Sequence, residues 1–384
     1  MKRLLLSTIV LLCACAKQAD RPFDPAKARV VTENSDKMTH CSAFLVDGGT
    51  IYFSYYHDPV QTLEIPTATT IVPVLAKADF PALTNIERTE VIRAGQTVGD
   101  FTQDGWRAPY DPNILRIGDG ILYYFVGCAD STVTYCVRRY DIPSGNFAPT
   151  VEPCTLSYKG KKVVMNTRNL QQMFLDFDFP AVFNNDMNMS APFVEYKGEF
   201  YNTIGSAFLK RACPIVVKTS DGIDFEVVML CTDFLYGNCE SSLAIFKDEF
   251  YVIHRNSGVE RGGRGCYIAK YSPDGKCLVP PQYLSEAQAK PVLAVHKGKL
   301  YAFYNANPFL QTDWGLVSRS RMRVARIGRD CSVLHSWDVT SPFGIHYPYV
   351  QTVNGDLWLS FSEDRKQLDV NQTRSNISLI KTDL

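Results

Sequence analysis

Residues 241–256 read SSLAIFKDEFYVIHRN, and the two residues before them that matter most are Cys239 and Glu240. An apolar run reaches Phe246, Lys247 and Asp248 supply a polar turn, and a second apolar run follows from Phe250 to Ile253. This is a strand, a tight turn and a strand. Five other stretches repeat it: SAFLVDGGTIYFSYYH from residue 42, PNILRIGDGILYYFVG from 112, APFVEYKGEFYNTIGS from 191, PVLAVHKGKLYAFYNA from 291 and PYVQTVNGDLWLSF from 348. Each has an aromatic residue at a fixed place after its turn: Tyr52, Tyr123, Tyr201, Tyr251, Tyr301 and Trp358, separated by 71, 78, 50, 50 and 57 residues.

Most copies are followed by a second hairpin, as in CYIAKYSPDGKCL or VARIGRDCSVLHSWDV, so each unit has four strands. Helical periodicity is nearly absent; NTRNLQQMFLDF, residues 166–177, reads as one short helix in an insertion between the second and third repeats. Units of about 50 residues that cannot bury both faces alone close into a ring. The expectation is an all-β, six-bladed β-propeller, six blades fitting the repeats better than five or seven, in one domain over residues 36–384.

Ring geometry turns the repeat into a map. Every inner strand runs the same way along the channel, so the residues before it open onto one mouth. Eleven or twelve positions before each aromatic marker stand His40 and Cys41, Asp111 and Pro112, Met189 and Ser190, Cys239 and Glu240, Ala289 and Lys290, and His346 and Tyr347. The second strand returns to that mouth with His57 and Asp58, Cys128 and Asp130, Ser206, His254 and Arg255, Asn305 and Asn307, and Glu363 and Arg365. Glu240 and Arg255 therefore end adjacent strands of one blade. An exposed cross-strand ion pair would contribute only about 0 to 1 kcal/mol; in a mouth lined with other ionisable groups the pair has a place in a ligand site. His254 is expected to pack within the blade.

The chain has 384 residues with 40 basic and 40 acidic side chains, a balance that gives no support to a nucleic-acid partner. MKRLLLSTIVLLCACAK has a basic start and an apolar run too short to span a bilayer, which reads as an export signal. Leu12-Cys13-Ala14-Cys15 resembles a bacterial lipobox, which implies a signal peptide over 1–14, lipidation of Cys15 and a tether over 15–35. The expected location is a bacterial outer membrane or cell surface, with membrane contact through the anchor alone. Cys136 and Cys154 lie symmetrically about Gly145, and Cys213 and Cys231 about Gly222, so both pairs are expected as cross-strand disulfides. The six histidines lack zinc spacing and no phosphate-binding glycine loop occurs, so neither metal nor cofactor is expected. The chain is read as a monomer.

Repeats four to six resemble the sialidase (neuraminidase) family. Sialidases open one blade with a glutamate and close the same hairpin with an arginine, similar to Glu240 and Arg255. Their next blade has an asparagine-proline pair and another arginine, matched here by Asn307-Pro308 with Arg319 or Arg321, and their last blade opens with a tyrosine, matched by Tyr347 or, less well, Tyr349. The resemblance implies a retaining glycoside hydrolase in which Tyr347 attacks, Glu240 deprotonates it and the arginines hold the carboxylate of an acidic sugar. Tyrosine suits that task because a carboxylate nucleophile would approach the substrate's carboxylate against like charge, and arginine suits the carboxylate because its planar fork donates two parallel hydrogen bonds.

The first half departs from the family pattern. Its arginine, proline and acid/base aspartate are matched by Arg107, Pro109 and Asp130, but in the second repeat, while the first repeat has His40 and Asp58 near those places. The family's serine-aspartate-glycine turns survive best in TSDGIDF (219–225) and SPDGKCL (272–278). Other glycan chemistries stay open: an arabinanase- or fructosidase-like hydrolase with Asp111 or Asp130 as base and Glu240 as acid, a uronate lyase using His40 or His346 with Tyr347, or a glycan-binding propeller without catalysis.

Overall fold

The computed structural model describes residues 21–32, 37–61, 69–179, 187–205, 213–234, 240–256, 265–285, 289–306, 309–312, 315–341, 344–366 and 373–384. Cys15, Cys239, Ser206 and the Asn307-Pro308 pair lie outside the described residues. Six sheets form a ring, each carrying one of the six repeats, and the fold is a six-bladed β-propeller. The innermost strands of blades 1 to 6 are Met38–Asp47, Tyr110–Ile117, Val194–Tyr196, Ser241–Phe246, Val292–His296 and Gly344–Val353. Blade 6 closes the ring: its three inner strands come from the C-terminal end, and its outermost strand is Arg29–Val30, paired antiparallel with Leu379 and Ser378. Part of the segment read as tether is thus an edge strand of the ring.

A blade is a twisted sheet with two apolar faces, and each face is covered by a neighbouring blade. The aromatic markers lie in these seams. Tyr123 Oη donates to Val74 O in blade 1 at 3.1 Å, the ring of Tyr52 meets Tyr140 of blade 2 at 6.2 Å, Tyr201 meets Phe250 of blade 4 at 5.7 Å, and Trp358 meets Phe80 of blade 1 at 4.8 Å. The recurrence of an aromatic residue is therefore a recurrence of the seam it fills.

The insertion between blades 2 and 3 extends blade 3 to six strands. Thr155–Tyr158 pairs in parallel with Asp224–Leu230, and Lys161–Val164 lies outside it. The helix expected over 166–177 spans Thr167–Leu175 and is capped by Asn166, whose side chain accepts from the amide of Asn169 at 2.8 Å. Leu170, Met173 and Phe174 bury its apolar face.

The serine-aspartate-glycine turns are structural. Asp221 Oδ1 accepts from the amides of Ile223 and Asp224, both at 2.9 Å. Gly222 has φ +78°, and a Cβ there would stand 2.3 Å from Leu122 and 2.7 Å from Tyr124 Oη, so no other residue fits this seam without displacement. In the blade 4 turn the serine hydroxyl takes the amide instead, with Lys276 N donating to Ser272 Oγ at 3.1 Å.

The disulfide expectation is corrected. All nine described cysteines carry free thiols, including Cys136, Cys154, Cys213 and Cys231. In blade 2 the partner of Cys136 is Pro153, one residue short of Cys154. In blade 3 a bulge between Val216 and Val217 shifts the register, so the amide of Cys231 bonds to Pro214 O rather than lying opposite Cys213. A one-residue slip sends side chains to opposite faces of a strand pair. Cys136 accordingly packs between blades 1 and 2 and Cys154 between blades 2 and 3, while Cys213 and Cys231 likewise enter different cores.

Candidate functional site

Three inner strands share one local distortion. In blades 1, 2 and 6 the pairing skips between His40 and Ala43, Tyr110 and Asn113, and His346 and Tyr349. Two residues of the inner strand thus oppose one of the second strand, which is a β-bulge. The first residue of each bulge is left-handed: Cys41 at φ 54°, Asp111 at 53° and Tyr347 at 53°. Non-glycine residues rarely adopt this conformation, and it persists where the surrounding structure enforces it. With Ser190, Glu240 and Lys290 at the matching places in blades 3, 4 and 5, these residues form a ring of six at the mouth.

Blades 4 to 6 supply one side of the mouth. Arg255 Nη1 donates to Glu240 Oε2 at 2.8 Å, and the amide of Arg255 donates to Glu240 O at 3.0 Å, so backbone and side chains fix the same juxtaposition. The Arg255 and Glu240 side chains are 15% and 12% exposed. Burial alone would push the Glu240 carboxyl up, but Arg255, joined by Arg319, outweighs it and holds the group down at about 2. Arg319 sits at φ 59° in the turn before the third strand of blade 5, and its carbonyl accepts from Ile345 N at 2.8 Å. That contact ties it to the start of blade 6, where its guanidinium lies 5.3 Å from the ring centre of Tyr347. Arg321 turns to Asp338 within its own blade, 3.8 Å away. Of the two arginines left open by the sequence, Arg319 belongs to the mouth.

Tyr347 is buried, and burial first, then the Glu240 charge, pushes its phenol well above the usual range against the pull of Arg319 and Arg255. The phenol is neutral at physiological pH. Glu240 and Tyr347 share this field, and the hydrogen bond that Glu240 Oε2 accepts comes from Arg255. Tyr349 lies deeper, fully buried against Phe44 with ring centres 5.7 Å apart, and is a core residue.

Blades 1 and 2 supply the other side. The His40 ring packs on Tyr347 with centres 4.2 Å apart, its Nδ1 is 2.8 Å from Tyr56 Oη and its Nε2 is 3.3 Å from His346 Nδ1. The Cys41 thiol is 3.8 Å from His40 Nδ1. Asp111 is buried and its Oδ2 accepts from Met189 N at 3.2 Å. Burial pushes its carboxyl up to about 7; Lys290 pulls it down and Glu240 pushes it further up. Lys290 is fully buried and donates to Ser190 O at 2.9 Å, spanning the channel from blade 5 to blade 3.

Other sequence candidates stand outside this group. Asp130 occupies an exposed left-handed turn between the second and third strands of blade 2, at φ 50°. Arg107 borders the group: it donates to Tyr110 Oη at 2.8 Å and lies over that ring, which packs against the apolar cluster holding Cys41 and Tyr347. Asp58 is buried and accepts from Val60 N, Gln61 N and Thr70 Oγ1, so it organises its own loop. His254 packs on Phe234 inside blade 4, as expected. No group of three metal-binding side chains occurs among the described residues. A pocket of about 630 Å³ on the opposite face, between blades 1 and 6, contains Phe80, Trp358 and Lys381 but none of the mouth residues.

No protein-family model and no curated protein sequence matches the chain. Solved structures do. Trypanosoma rangeli sialidase in complex with sialic acid superposes with a TM-score of 0.54 at 11% identity, covering 94% of this chain and 56% of that one. The same sialidase as a covalent intermediate with 2,3-difluorosialic acid gives 0.55 at 10% identity, again over 94% and 56%. A GH43_1 enzyme from Xanthomonas citri reaches only 0.40 at 10% identity, over 92% and 90%. The chain thus spans little more than half the length of the sialidase it matches, and what they share is the fold: a sialidase-like six-bladed propeller.

Proposed function

We propose that the protein is a retaining glycoside hydrolase acting on terminal acidic sugars at the mouth formed by Glu240, Arg255, Arg319 and Tyr347. The observation that carries this reading is the placement of Arg255 on Glu240 at 2.8 Å and of Arg319 over the Tyr347 ring at 5.3 Å. Two guanidiniums at one mouth suit a substrate carboxylate. Glu240 is the counter-ion of Arg255. A substrate carboxylate between Arg255 and Arg319 shares their charge, which releases part of the hold on Glu240 and raises its affinity for a proton. Glu240 then accepts the proton of Tyr347 as the phenol oxygen bonds to the anomeric carbon. His40, against the tyrosine ring at 4.2 Å, limits the positions the nucleophile can take.

A likeness to the covalent intermediate of the trypanosomal sialidase supports a tyrosine nucleophile by analogy of fold. Attachment at a membrane surface through lipidated Cys15 is part of the same proposal, resting on the sequence LCAC at residues 12–15; metabolic labelling with a fatty acid should mark the wild type and not Cys15→Ser.

The test is a screen of the purified protein against a fluorogenic sialoside, an uncharged aryl glycoside and a uronate polymer. Release of fluorophore from the sialoside alone is the expected result. The His40, His346 and Tyr347 cluster favours one second reading, a lyase in which a histidine and the tyrosine remove and return protons. Unsaturated uronate products with no sialoside cleavage would replace the first reading by that one.

A further inference from the structure

Two carboxyl groups of the ring of six at the mouth are in opposite conditions. Glu240 is bonded to Arg255 and stays charged. Asp111 forms no ion pair among the described residues; Lys290, whose charge acts on it, donates instead to the carbonyl of Ser190. One Asp111 oxygen is held by the amide of Met189. The backbone of Asp111 is fixed in the same left-handed bulge as that of Tyr347, and the bulges lie on blades 2 and 6, either side of blade 1. Asp130, the residue that the family resemblance puts forward as acid/base, stands on an exposed turn between the second and third strands of blade 2 and not on an inner strand.

We propose that Asp111 is the proton donor to the leaving group, in place of Asp130. The inference rests on the hydrolase reading above and names the one role that reading leaves unfilled. Tyr347 Oη bonds to the anomeric carbon while its proton passes to Glu240. The bond from that carbon to the leaving oxygen breaks, its electron pair stays on the oxygen, and the oxygen takes the proton of Asp111. In the second half, the Asp111 carboxylate takes a proton from water, the water oxygen displaces Tyr347 from the anomeric carbon, and Glu240 returns its proton to the phenolate. Atoms and charges close over the two steps with water as the only co-reactant. An acid with a pKa of about 7 is half protonated at neutral pH, which suits a donor that must also become a base.

The experiment compares two sialosides: sialyllactose, whose alkoxide leaves poorly, and an aryl sialoside, whose leaving group needs little protonation. Asp111→Asn should lose about 10²- to 10⁴-fold in kcat/KM on sialyllactose. On the aryl substrate its glycosylation step should change less than about tenfold, measured by the first-turnover burst so that the loss of base in the second half is kept apart. The wild type provides a test free of any folding defect: kcat/KM on sialyllactose should fall as pH rises through about 7 while the aryl sialoside holds its rate. Equal losses on both substrates, or a selective loss on sialyllactose in Asp130→Asn instead, would overturn the assignment. A wild type that cleaves neither sialoside removes the hydrolase reading and the donor with it; a wild type that cleaves both, with Asp111→Asn unimpaired, removes only the donor.

Discussion

The two sides of the mouth are built by different means. On the side of blades 4 to 6, Glu240 and Arg255 end adjacent strands, and regular pairing alone brings them together, amide to carbonyl and guanidinium to carboxylate. On the side of blades 1 and 2, Cys41 and Asp111 enter the mouth through bulges that break regular pairing. Tyr347 is on the first side by position and on the second by construction, since it too heads a bulge. The electrostatic consequences differ as much. Arginine surrounds the regular side and keeps Glu240 ionised; burial dominates the bulged side and leaves Asp111 half protonated at neutral pH. Regular geometry here yields a paired charge, and irregular geometry an acid poised to give up its proton.

The largest effect expected from breaking this arrangement is at the nucleophile. Tyr347→Phe should lower kcat on a sialoside by about 10³-fold or more with the thermal midpoint nearly unchanged, because a buried ring remains in place. Next is the ion pair. Arg255→Ala leaves the Glu240 carboxylate buried without its counter-ion and should cost about 3–5 kcal/mol in denaturant unfolding at pH 7, whereas the double variant with Glu240→Ala should recover part of that loss.

The two carboxyls should also shift stability with pH in opposite directions. Glu240 is lowered from 4.5 to about 2, so its contribution is present above pH 4.5 and is lost as pH falls toward 2. Asp111 is raised from 3.8 to about 7, so the native state binds more protons than the unfolded chain between those values and stability falls as pH rises through them. Asp111→Asn removes that decline and should be more stable than the wild type at pH 8 by about 2–4 kcal/mol, with little difference at pH 4. A gain in stability with a loss of turnover is the pattern expected of a strained functional group.

A smaller effect separates two neighbouring arginines. Arg319→Ala should raise KM for a sialoside by about tenfold to a hundredfold through loss of a charge-assisted hydrogen bond to the carboxylate. Arg321→Ala, which removes only a contact to Asp338, should leave KM within about twofold and stability within about 1 kcal/mol. The smallest effect is from reductant. With Cys136, Cys154, Cys213 and Cys231 all free, dithiothreitol should not move the thermal midpoint of the wild type.

The ring was legible because each blade seam needs an aromatic residue at the same depth, and that need recurs in the chain as Tyr52, Tyr123, Tyr201, Tyr251, Tyr301 and Trp358. The helix at Thr167–Leu175 was legible from its cap and its apolar face. The pairing of Glu240 with Arg255 follows from a hairpin without irregularity. Register beyond the tight turns was not legible. A bulge moves a partner by one residue, and that slip separates Cys213 from Cys231 although both lie at equal distances from Gly222. Two of the three mouth bulges did leave a mark, since Pro112 and Pro348 interrupt strands whose ladder a proline cannot continue. Read that way, YDPNILRI and HYPYVQTV each point to the residue before the proline. Cys41 has no such mark. Lys290 stands eleven residues before its aromatic marker as Glu240 does, so position places it at the mouth, while its full burial against Ser190 is a tertiary fact.

The central claim is that Tyr347 forms a covalent bond to an acidic sugar with the help of Glu240. The most direct test is to incubate the protein with a 2,3-difluorosialic acid, whose second fluorine slows release of the sugar from an enzyme, and to locate any adduct by intact mass and peptide mapping. The account predicts one added fluorosialyl group on the peptide containing Tyr347, absent in Tyr347→Phe and formed far more slowly in Glu240→Gln. An adduct on a carboxylate such as Glu240, or turnover of a sialoside by Tyr347→Phe at the wild-type rate, would contradict it.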